Sequence, residues 1–432
     1  MGWDFVKIFM QRKISRIIFI WLALCSLSVE AATRIRSISF EGNLVTEEVL
    51  MLREMYVSEG DEVDLKKIEQ STQAIMDLGL FKSVKYYLRE DYTVSDEDAA
   101  DLVILLEEKI YLLVLPRLRV NEDGRKLGIQ LRWDNIFGLN HQMRLLIEDR
   151  GSTDGVSEKR QRAKYRYPNI NGSNFELNFK LTNQNKVDEI DDLNSIDRQD
   201  KDFGIGLFKW LNSKGRNRGW FAGIGFDYRQ RNNQVVLGTL ADNALNALVV
   251  EMQYGFKDVH QYTYNRGGKE YGYNLDMSPH ELNNDFEFFS HRLYYRSYYR
   301  FDSRPGDNLN VQTLFGYSTN NILDNEAFSL GSSQDLRGYK SNSFVGNTML
   351  LLNIEYMTPS DTSPALRYVY FIDIGNTYDD INDIKNGHLK TGLGMGFRWK
   401  IQAFVKLDLR MDIGYGVTEG EYRASFGTRH VF

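Results

Sequence analysis

The second part of the chain, from Tyr111 to Phe432, alternates apolar and polar positions with a period of two. Between residues 405 and 415 every odd position is apolar or aromatic, whereas the even positions are charged or glycine. The same alternation recurs at 220–229 and at 350–356. A period of two is that of a β-strand with two different faces. Runs of about ten residues, apolar on one side and charged on the other, indicate membrane-spanning strands with lipid outside and a wet interior.

This pattern predicts about sixteen antiparallel strands, in keeping with the even strand number of single-chain membrane barrels. Three polar connectors are predicted to be long surface loops, at Asn185–Lys201, Asn232–Asn246 and Asp258–Gly268. The longest connector, about 320–346, lies between the eleventh and twelfth strands. The predicted strands span residues 111–120, 127–134, 142–149, 159–167, 174–183, 202–211, 220–230, 247–257, 269–277, 286–302, 308–319, 347–357, 366–375, 387–399, 402–414 and 422–432.

The first part of the chain, about 34–109, predicts a small βααββ domain. A first helix follows Thr46, a residue type that caps helix N-termini. A second helix begins near Asp64, keeps one face apolar and ends at Gly79, because glycine is favoured just after a helix. Alternating segments before and after this helix pair supply the strands.

The first 32 residues have the features of an export signal. A basic start is followed by an apolar run from Ile17 to Val29 and by Val29-Glu30-Ala31, which has the small-x-small form of a cleavage site. The only cysteine, Cys25, lies in this run, so we expect no disulfide and no cysteine-ligated metal in the mature chain. Removal of the signal takes the formal charge from −6 to −8, because its four basic residues outnumber two acidic ones. An acidic chain of this kind is not expected to bind nucleic acid.

The amino-acid composition excludes some classes of protein and favours others. A mean hydropathy of −0.43 with 26% charged residues excludes a helical membrane protein. Aromatic residues make up 13%, which favours the aromatic girdles of a membrane barrel, although an aromatic-rich soluble β-protein has a similar composition. The six histidines are scattered without an H-E-x-x-H pair, and no G-x-S-x-G motif occurs. We therefore expect no enzymatic activity, no cofactor and no metal.

The longest connector contains Leu336-Arg337-Gly338-Tyr339, and a later predicted strand contains Phe371-Ile372-Asp373-Ile374-Gly375. The planar guanidinium of Arg337 needs a planar acceptor, which the carboxylate of Asp373 offers from a strand face. Gly338 permits a tight tip. We predict that the loop folds into the barrel and that Arg337, Gly338 and Tyr339 tether it to the strand that carries Asp373. The alternative is an exposed arginine in a flexible surface loop.

These motifs, together with the turn Asp134–Gly138, resemble those of the BamA/TamA-type outer-membrane assembly superfamily. The resemblance covers nearly all of the mature chain. It implies a signal peptide at 1–32, a POTRA domain at 33–110 and an outer-membrane β-barrel of the bacterial surface antigen type at 111–432. The fold class is then an all-β transmembrane barrel of about sixteen antiparallel strands behind a small N-terminal βααββ domain.

The same resemblance implies a function and a location. The protein would insert or translocate polypeptides in the bacterial outer membrane, with the POTRA domain in the periplasm and without nucleotide or cofactor. Its partners would be unfolded outer-membrane or secreted polypeptides, outer-membrane lipid, and periplasmic chaperones or assembly lipoproteins. The rival interpretation is a passive channel, whose selectivity would be set by interior charges at Arg292, Arg296, Arg300, Asp408 and Asp412.

Two sheet edges are predicted to take part in the function, one in the barrel and one in the N-terminal domain. In the superfamily the first and last barrel strands form a weak seam, which places Leu112, Pro116 and Phe432 at the seam. Proline removes a ladder donor and is tolerated mainly at sheet edges, although Pro116 could equally end the pairing early. In the N-terminal domain, the second strand is the candidate docking edge, with Val84, Tyr86 and Leu88. The alternative role for this domain is only to plug or orient the barrel.

Overall fold

The computed structural model describes most of the chain outside its first 32 residues. The predicted signal peptide and the seam residue Phe432 therefore lie outside the described part. The described residues are 33–90, 99–121, 124–152, 157–191, 194–212, 216, 218–238, 242–319, 328–385 and 387–428.

The N-terminal domain has the predicted βααββ order. Its elements are β1 (Arg34–Glu41), α1 (Glu48–Glu54), α2 (Leu65–Asp77), β2 (Phe81–Glu90) and β3 (Ala99–Glu108). β3 is the central strand, parallel to β1 and antiparallel to β2. No helix in the described part of the chain is long and apolar enough to cross a membrane.

The second helix begins and ends where its sequence predicts. The carboxylate of Asp64 accepts hydrogen bonds from the backbone N–H groups of Lys66 and Lys67, at 3.0 and 3.1 Å. Gly79 follows the helix with a φ of +75°, a conformation that glycine adopts without strain. The apolar face of α2 packs Ile68 and Ile75 into the domain core.

The rest of the chain forms one antiparallel sheet of sixteen strands, which confirms the predicted number. A short hairpin of β15 (Phe328–Leu330) and β16 (Phe344–Gly346) interrupts the sequence order without joining the sheet. The sheet strands are β4 (Leu112–Asn121), β5 (Gly124–Ile136), β6 (His141–Ser152), β7 (Ser157–Tyr167), β8 (Phe175–Asp191), β9 (Asn194–Trp210), β10 (Gly219–Leu237), β11 (Asn243–Gln261), β12 (Arg266–Ser278), β13 (Phe288–Phe301), β14 (Arg304–Ser318), β17 (Thr348–Pro359), β18 (Leu366–Tyr378), β19 (Lys390–Lys400), β20 (Asp408–Gly416) and β21 (Glu421–Gly427).

The polarity of the two faces of this sheet is the reverse of that in a soluble protein, with apolar side chains outside and polar side chains inside. Large apolar side chains such as Ile129, Ile147 and Met395 are about 60% exposed on the outside, at 59%, 65% and 60%. Polar side chains such as Asn353 and Asp373 are fully buried on the inside. The alternation in the sequence therefore corresponds to a lipid-facing surface and a polar interior, as in a transmembrane barrel.

The prediction that three polar connectors are long surface loops is wrong. β8 and β9 leave only residues 192–193 between them, and β10 continues to Leu237, so most of Asn185–Lys201 and part of Asn232–Asn246 are strand. The third, Asp258–Gly268, is the end of β11, a four-residue turn at 262–265 and the start of β12; beside this turn the carbonyl of Gln261 accepts a hydrogen bond from Gln73 of the N-terminal domain. Strands that continue beyond the lipid are wetted on both faces, so they keep their ladder but lose the alternation that predicts them.

The N-terminal domain lies across one end of the barrel, which we name the domain end; the opposite end is the loop end. Asp77 of α2 forms an ion pair with Arg218 and accepts a hydrogen bond from the backbone N–H of Gln261 at 2.7 Å. On another side, the amide of Asn135 donates to the hydroxyl of Thr46 at 2.9 Å. Turns of the barrel therefore hold the domain from more than one side.

Candidate functional site

The connector between β14 and β17 folds into the barrel from the loop end. Its described part, residues 328–347, contains the β15–β16 hairpin and the tip that carries Arg337. The side chains of Leu336 and Tyr339 are 0% and 3% exposed. They pack with Leu330 and with side chains of β17 in a small apolar cluster. The tip is thus buried inside the barrel rather than exposed as a surface loop.

The structure brings Arg337 and Asp373 together. The Nε and Nη2 atoms of Arg337 donate to the two carboxylate oxygens of Asp373 at 2.6 and 2.7 Å, and the Arg337 backbone N–H donates to the same carboxylate at 3.1 Å. The guanidinium also lies over the ring of Phe371, 3.5 Å from its centre. Since Arg337 is 2% exposed and Asp373 0%, this bidentate pair is largely removed from water.

Four further charged residues complete the Arg337 cluster. Glu355 of β17 accepts from Arg337 at 2.6 Å and from Arg398 of β19 at 2.8 Å. Arg398 also donates to Asp412 of β20 at 2.5 Å, and Arg410 contacts the same carboxylate at 3.3 Å. Three cations and three carboxylates thus meet in one buried, formally neutral cluster.

Most of this cluster is not predicted from the sequence. The sequence pattern predicts that Asp412 is a charge of the barrel interior, but it does not predict that Glu355, Arg398 or Arg410 lies next to Arg337. Each is an ordinary inward-facing position of an alternating strand. Their meeting depends on the register between β17, β18, β19 and β20, which no local pattern in the sequence reveals.

The tip reaches the cluster because glycines leave room for its backbone. Gly338 has a φ of +93°, and a Cβ there would lie 2.5 Å from the backbone N of Gly416. A Cβ on Gly392 would lie 2.0 Å from the carbonyl oxygen of Arg337. The Tyr339 hydroxyl then donates to the carbonyl of Thr391 at 2.8 Å. The loop backbone is therefore seated directly on the backbones of β19 and β20.

This arrangement can hold the loop against the barrel wall. The carboxylates are each matched by a guanidinium. Within the described ranges, no group of His, Cys, Asp and Glu side chains could hold a metal ion. Because the guanidinium of Arg337 bonds Asp373 of β18 and Glu355 of β17, the geometry is that of a pin between the loop and the barrel wall.

The predicted seam residues Leu112 and Pro116 lie on β4, at one end of the sheet, and β21 lies at the other end. Both side chains point outward, and that of Leu112 is 51% exposed. No ladder joins β4 to β21 in the described part of either strand. At the domain end the chain is nevertheless held: Ile110 bridges to Phe404, its N–H donating to the carbonyl of Ala403 at 2.7 Å.

The predicted docking strand β2 is an edge strand of its sheet. Val84, Tyr86 and Leu88 point toward the domain core and are half-buried there, so the side chains that face away are those of alternate residues such as Lys85. The opposite edge, β1, is partly covered, because Ile35 exchanges backbone hydrogen bonds with the segment 60–61 at 2.8 Å. β2 is thus the more open edge for adding a strand, through its backbone rather than through the three named side chains.

Comparison with known proteins agrees with this architecture. The family model described as "Omp85 superfamily domain" matches residues 119–424. The model described as "Surface antigen variable number repeat", a POTRA model, matches residues 33–109. No curated protein matches the sequence.

Solved structures share the fold at low sequence identity. BamA from Haemophilus ducreyi lacking POTRA domains 1–3 matches with a TM-score of 0.56 and 12% identity, over 91% of this chain and 84% of that one. CdiB from Escherichia coli matches with a TM-score of 0.59 and 15% identity, over 93% and 75%. CdiB from Acinetobacter baumannii matches with a TM-score of 0.57 and 13% identity, over 92% and 73%. The chain belongs to the Omp85 superfamily, as an outer-membrane barrel of the insertase and transporter type with an N-terminal POTRA domain.

Proposed function

We propose that this barrel assembles or exports polypeptides by pairing them, strand by strand, with its own free sheet edges. The observation that carries the proposal is that β4 and β21 end the sheet without a ladder between them in their described residues. A sheet edge presents unpaired N–H and C=O groups, and an extended polypeptide can satisfy them by adding as a strand. Such templating needs no bond chemistry.

The POTRA domain would deliver the client. Its β2 edge faces a groove of about 470 Å³, which is lined on one side by α2 and β2 and on the other by the barrel turn at 262–265. We infer that this domain lies in the periplasm, where unfolded clients, chaperones and assembly lipoproteins would meet it. A client held on β2 would thus already be next to the barrel.

The rival function, a passive channel, is less well supported. The Arg337 loop occupies the interior from the loop end, and the N-terminal domain lies across the domain end. A wide, permanently open pore needs neither a loop inside the barrel nor a domain across its end. Large, steady conductance of the purified barrel in planar bilayers would favour the channel, whereas small, flickering conductance fits an insertase or transporter.

The first test is to delete the gene and quantify the outer-membrane and secreted proteomes beside a strain that carries Arg337→Ala. We expect one or a few barrels or exported proteins to be lost in both strains, because the buried guanidinium pins the loop on which the interior depends. Those proteins would be the clients. An unchanged proteome with altered solute uptake would reject assembly and export in favour of the channel.

The second test locks the seam. Because Cys25 is the only cysteine of the chain and lies in the predicted signal, engineered pairs are free of competing thiols. We expect a cross-link between β4 and β21 to lower client levels several-fold. A short bismaleimide would join a cysteine at Val114 or Pro116 on β4 to a cysteine at Ala424 or Phe426 on β21. Each single-cysteine variant with the same reagent is the control. Full activity of a cross-linked pair would refute opening between β4 and β21.

A further inference from the structure

A separate internal cavity lies at the domain end of the barrel, away from the Arg337 cluster. Its volume is about 400 Å³, within the range of about 300–1,000 Å³ that small-molecule sites occupy. Met76, Gly79 and Lys109 of the N-terminal domain and its linker line one side. Barrel strands and the turns at 262–265 and 401–407 line the others. The cavity is thus bounded jointly by the domain and the barrel.

The charge of this cavity is strongly one-sided. Among the described residues that line it, only Glu270 and Asp408 are acidic. The formal surplus among the lining residues is six positive charges, and Asp134, which does not line the cavity, matches one of them through its ion pair with Arg144. The eight basic residues are Lys109, Arg132, Arg144, Lys257, Arg266, Arg367, Lys400 and Lys406.

The neighbouring spaces do not share this surplus. An adjoining cavity of about 470 Å³ is lined, in the described part of the chain, by four acidic and four basic residues. The Arg337 cluster is likewise balanced, with three of each sign. The two cavities share Lys257, Glu270 and Lys406, so the surplus comes from the other basic residues of this cavity and not from a cationic interior in general.

Several of these cations are held in place by backbone carbonyl groups rather than by direct ion pairs. Lys109 donates to the carbonyl of Gly79 at 3.0 Å, and Lys400 to that of Tyr262 at 3.3 Å. Arg367 donates to the carbonyl of Gly306 at 2.9 Å. None of these three cations has a carboxylate within 4.0 Å among the described residues. Carbonyl groups fix where the three charges lie, and the single carboxylate of Asp408 is shared among them as a more distant counter-charge.

Lys257 and Lys406 are the least satisfied of the set. In the part of the chain that the structure describes, neither ammonium group has a hydrogen bond or an ion pair with the protein. Glu270, which lies opposite Lys257 across the strand pair, accepts instead from Arg296 at 2.9 Å. Burial, together with the neighbouring cations Lys257 and Arg166, lowers the pKa of Lys406 to about 7. These two amines therefore have unused capacity to bind an anion.

We propose that this cationic cavity binds a small multivalent anion of the phosphate class. A ligand with several negative charges would offset several of the fixed cations at once. Phosphate oxygens match the paired N–H donors of arginine and accept equally from lysine ammonium groups. The cavity volume of about 400 Å³ suits a pyrophosphate or a phosphorylated head group rather than a polymer. A bound anion would join the N-terminal domain to the barrel, because Lys109 belongs to the segment that follows β3 and Lys406 to a turn of the barrel, and both side chains lie beside Gly79.

The test is calorimetric titration of the purified mature chain in a non-ionic detergent with inorganic pyrophosphate. We expect saturable binding that weakens with added salt, and at least a tenfold loss of affinity in Lys257→Gln/Lys406→Gln. The matched control, Lys66→Gln/Lys385→Gln, removes the same charge from two exposed lysines and should bind normally. Absence of saturable binding, or equal loss in both double variants, would overturn the proposal. Should the first double variant not fold, Lys406→Gln alone, in a turn, serves with the same criterion.

Further titrations identify the source and class of the anion. Competition by short-chain phosphatidic acid would assign a lipid-borne phosphate, and failure to compete would assign a free one; both support the site. Citrate binding as tightly as pyrophosphate would overturn the phosphate class. Because the readout is binding and not client assembly, failure here leaves the proposed function untouched.

Discussion

Replacing Arg337 with alanine is expected to cost about 3–5 kcal/mol of the free energy that holds the loop inside the barrel. The side chain is 2% exposed, and its removal leaves the buried carboxylate of Asp373 without its guanidinium partner, whereas Glu355 keeps Arg398. Stranded buried charges are what make such a loss large. We therefore expect the loop to leave its site and client levels to fall as far as in the deletion strain.

The same reasoning predicts that Arg337→Ala and Asp373→Ala are strongly non-additive. Either change alone destroys the bidentate pair, so that the second has little of it left to remove. The double variant should be nearly as active as the worse single variant. The measurement is a double-mutant cycle on protease accessibility of residues 328–347 and on client abundance. Fully additive effects would show that the two residues act separately and would refute the tether.

An ion pair elsewhere in the interior provides the control. Arg292 donates to Asp276 at 2.9 Å, with the arginine side chain 48% exposed. Pairs that remain in contact with water contribute about 0–1 kcal/mol, since solvent screens them. Arg292→Ala should therefore change loop accessibility and client levels little. A defect equal to that of Arg337→Ala would mean that any interior charge matters and that the buried pair is not special.

The sequence predicts the strands best where lipid touches them. The sixteen predicted strands correspond one to one with the sixteen of the sheet, because a lipid-facing side must alternate with a polar one. The prediction fails beyond the lipid. β8 and β9 each reach 17 residues, and their outer parts are mostly polar on both faces, which makes a strand look like a loop.

A second error in the predicted strands arises because residues that pack against another domain can have the same apolar pattern as a strand. The alternation through Val405 and Leu407 predicts a strand from residue 402, but β20 begins only at Asp408. Val405 is 2% exposed because it packs into the core of the N-terminal domain. Its apolar character reflects contact with another domain, a requirement that a one-dimensional pattern cannot separate from a lipid-facing position.

The pair at the loop tip was predictable because both partners lie in short, unusual motifs. The rest of its surroundings was not. Glu355, Arg398 and Asp412 resemble every other inward-facing charge, and only the register of four neighbouring strands brings them together. The cationic cavity is similar, since its basic residues lie as far apart in the chain as Lys109 and Lys406.

Placing a methyl group under the tip should displace the loop without changing any charge. In Gly392→Ala the new Cβ would lie 2.0 Å from the carbonyl oxygen of Arg337, closer than any real contact. In Gly338→Ala it would meet the backbone N of Gly416 at 2.5 Å, at a φ of +93° that itself disfavours alanine. Backbone atoms of a sheet cannot rotate away as a side chain can, so the loop has to move.

We therefore expect Gly392→Ala to release residues 328–347 to protease and to lower client levels nearly as much as Arg337→Ala. The control is Gly204→Ala on β9, where the nearest atom to a new Cβ is a carboxylate oxygen of Asp227 at 3.1 Å, which can shift slightly. That variant should behave as wild type. Normal loop protection and normal client levels in Gly392→Ala would mean that the tip is not seated on the backbone of β19, and the pin would then have to be explained by charge alone.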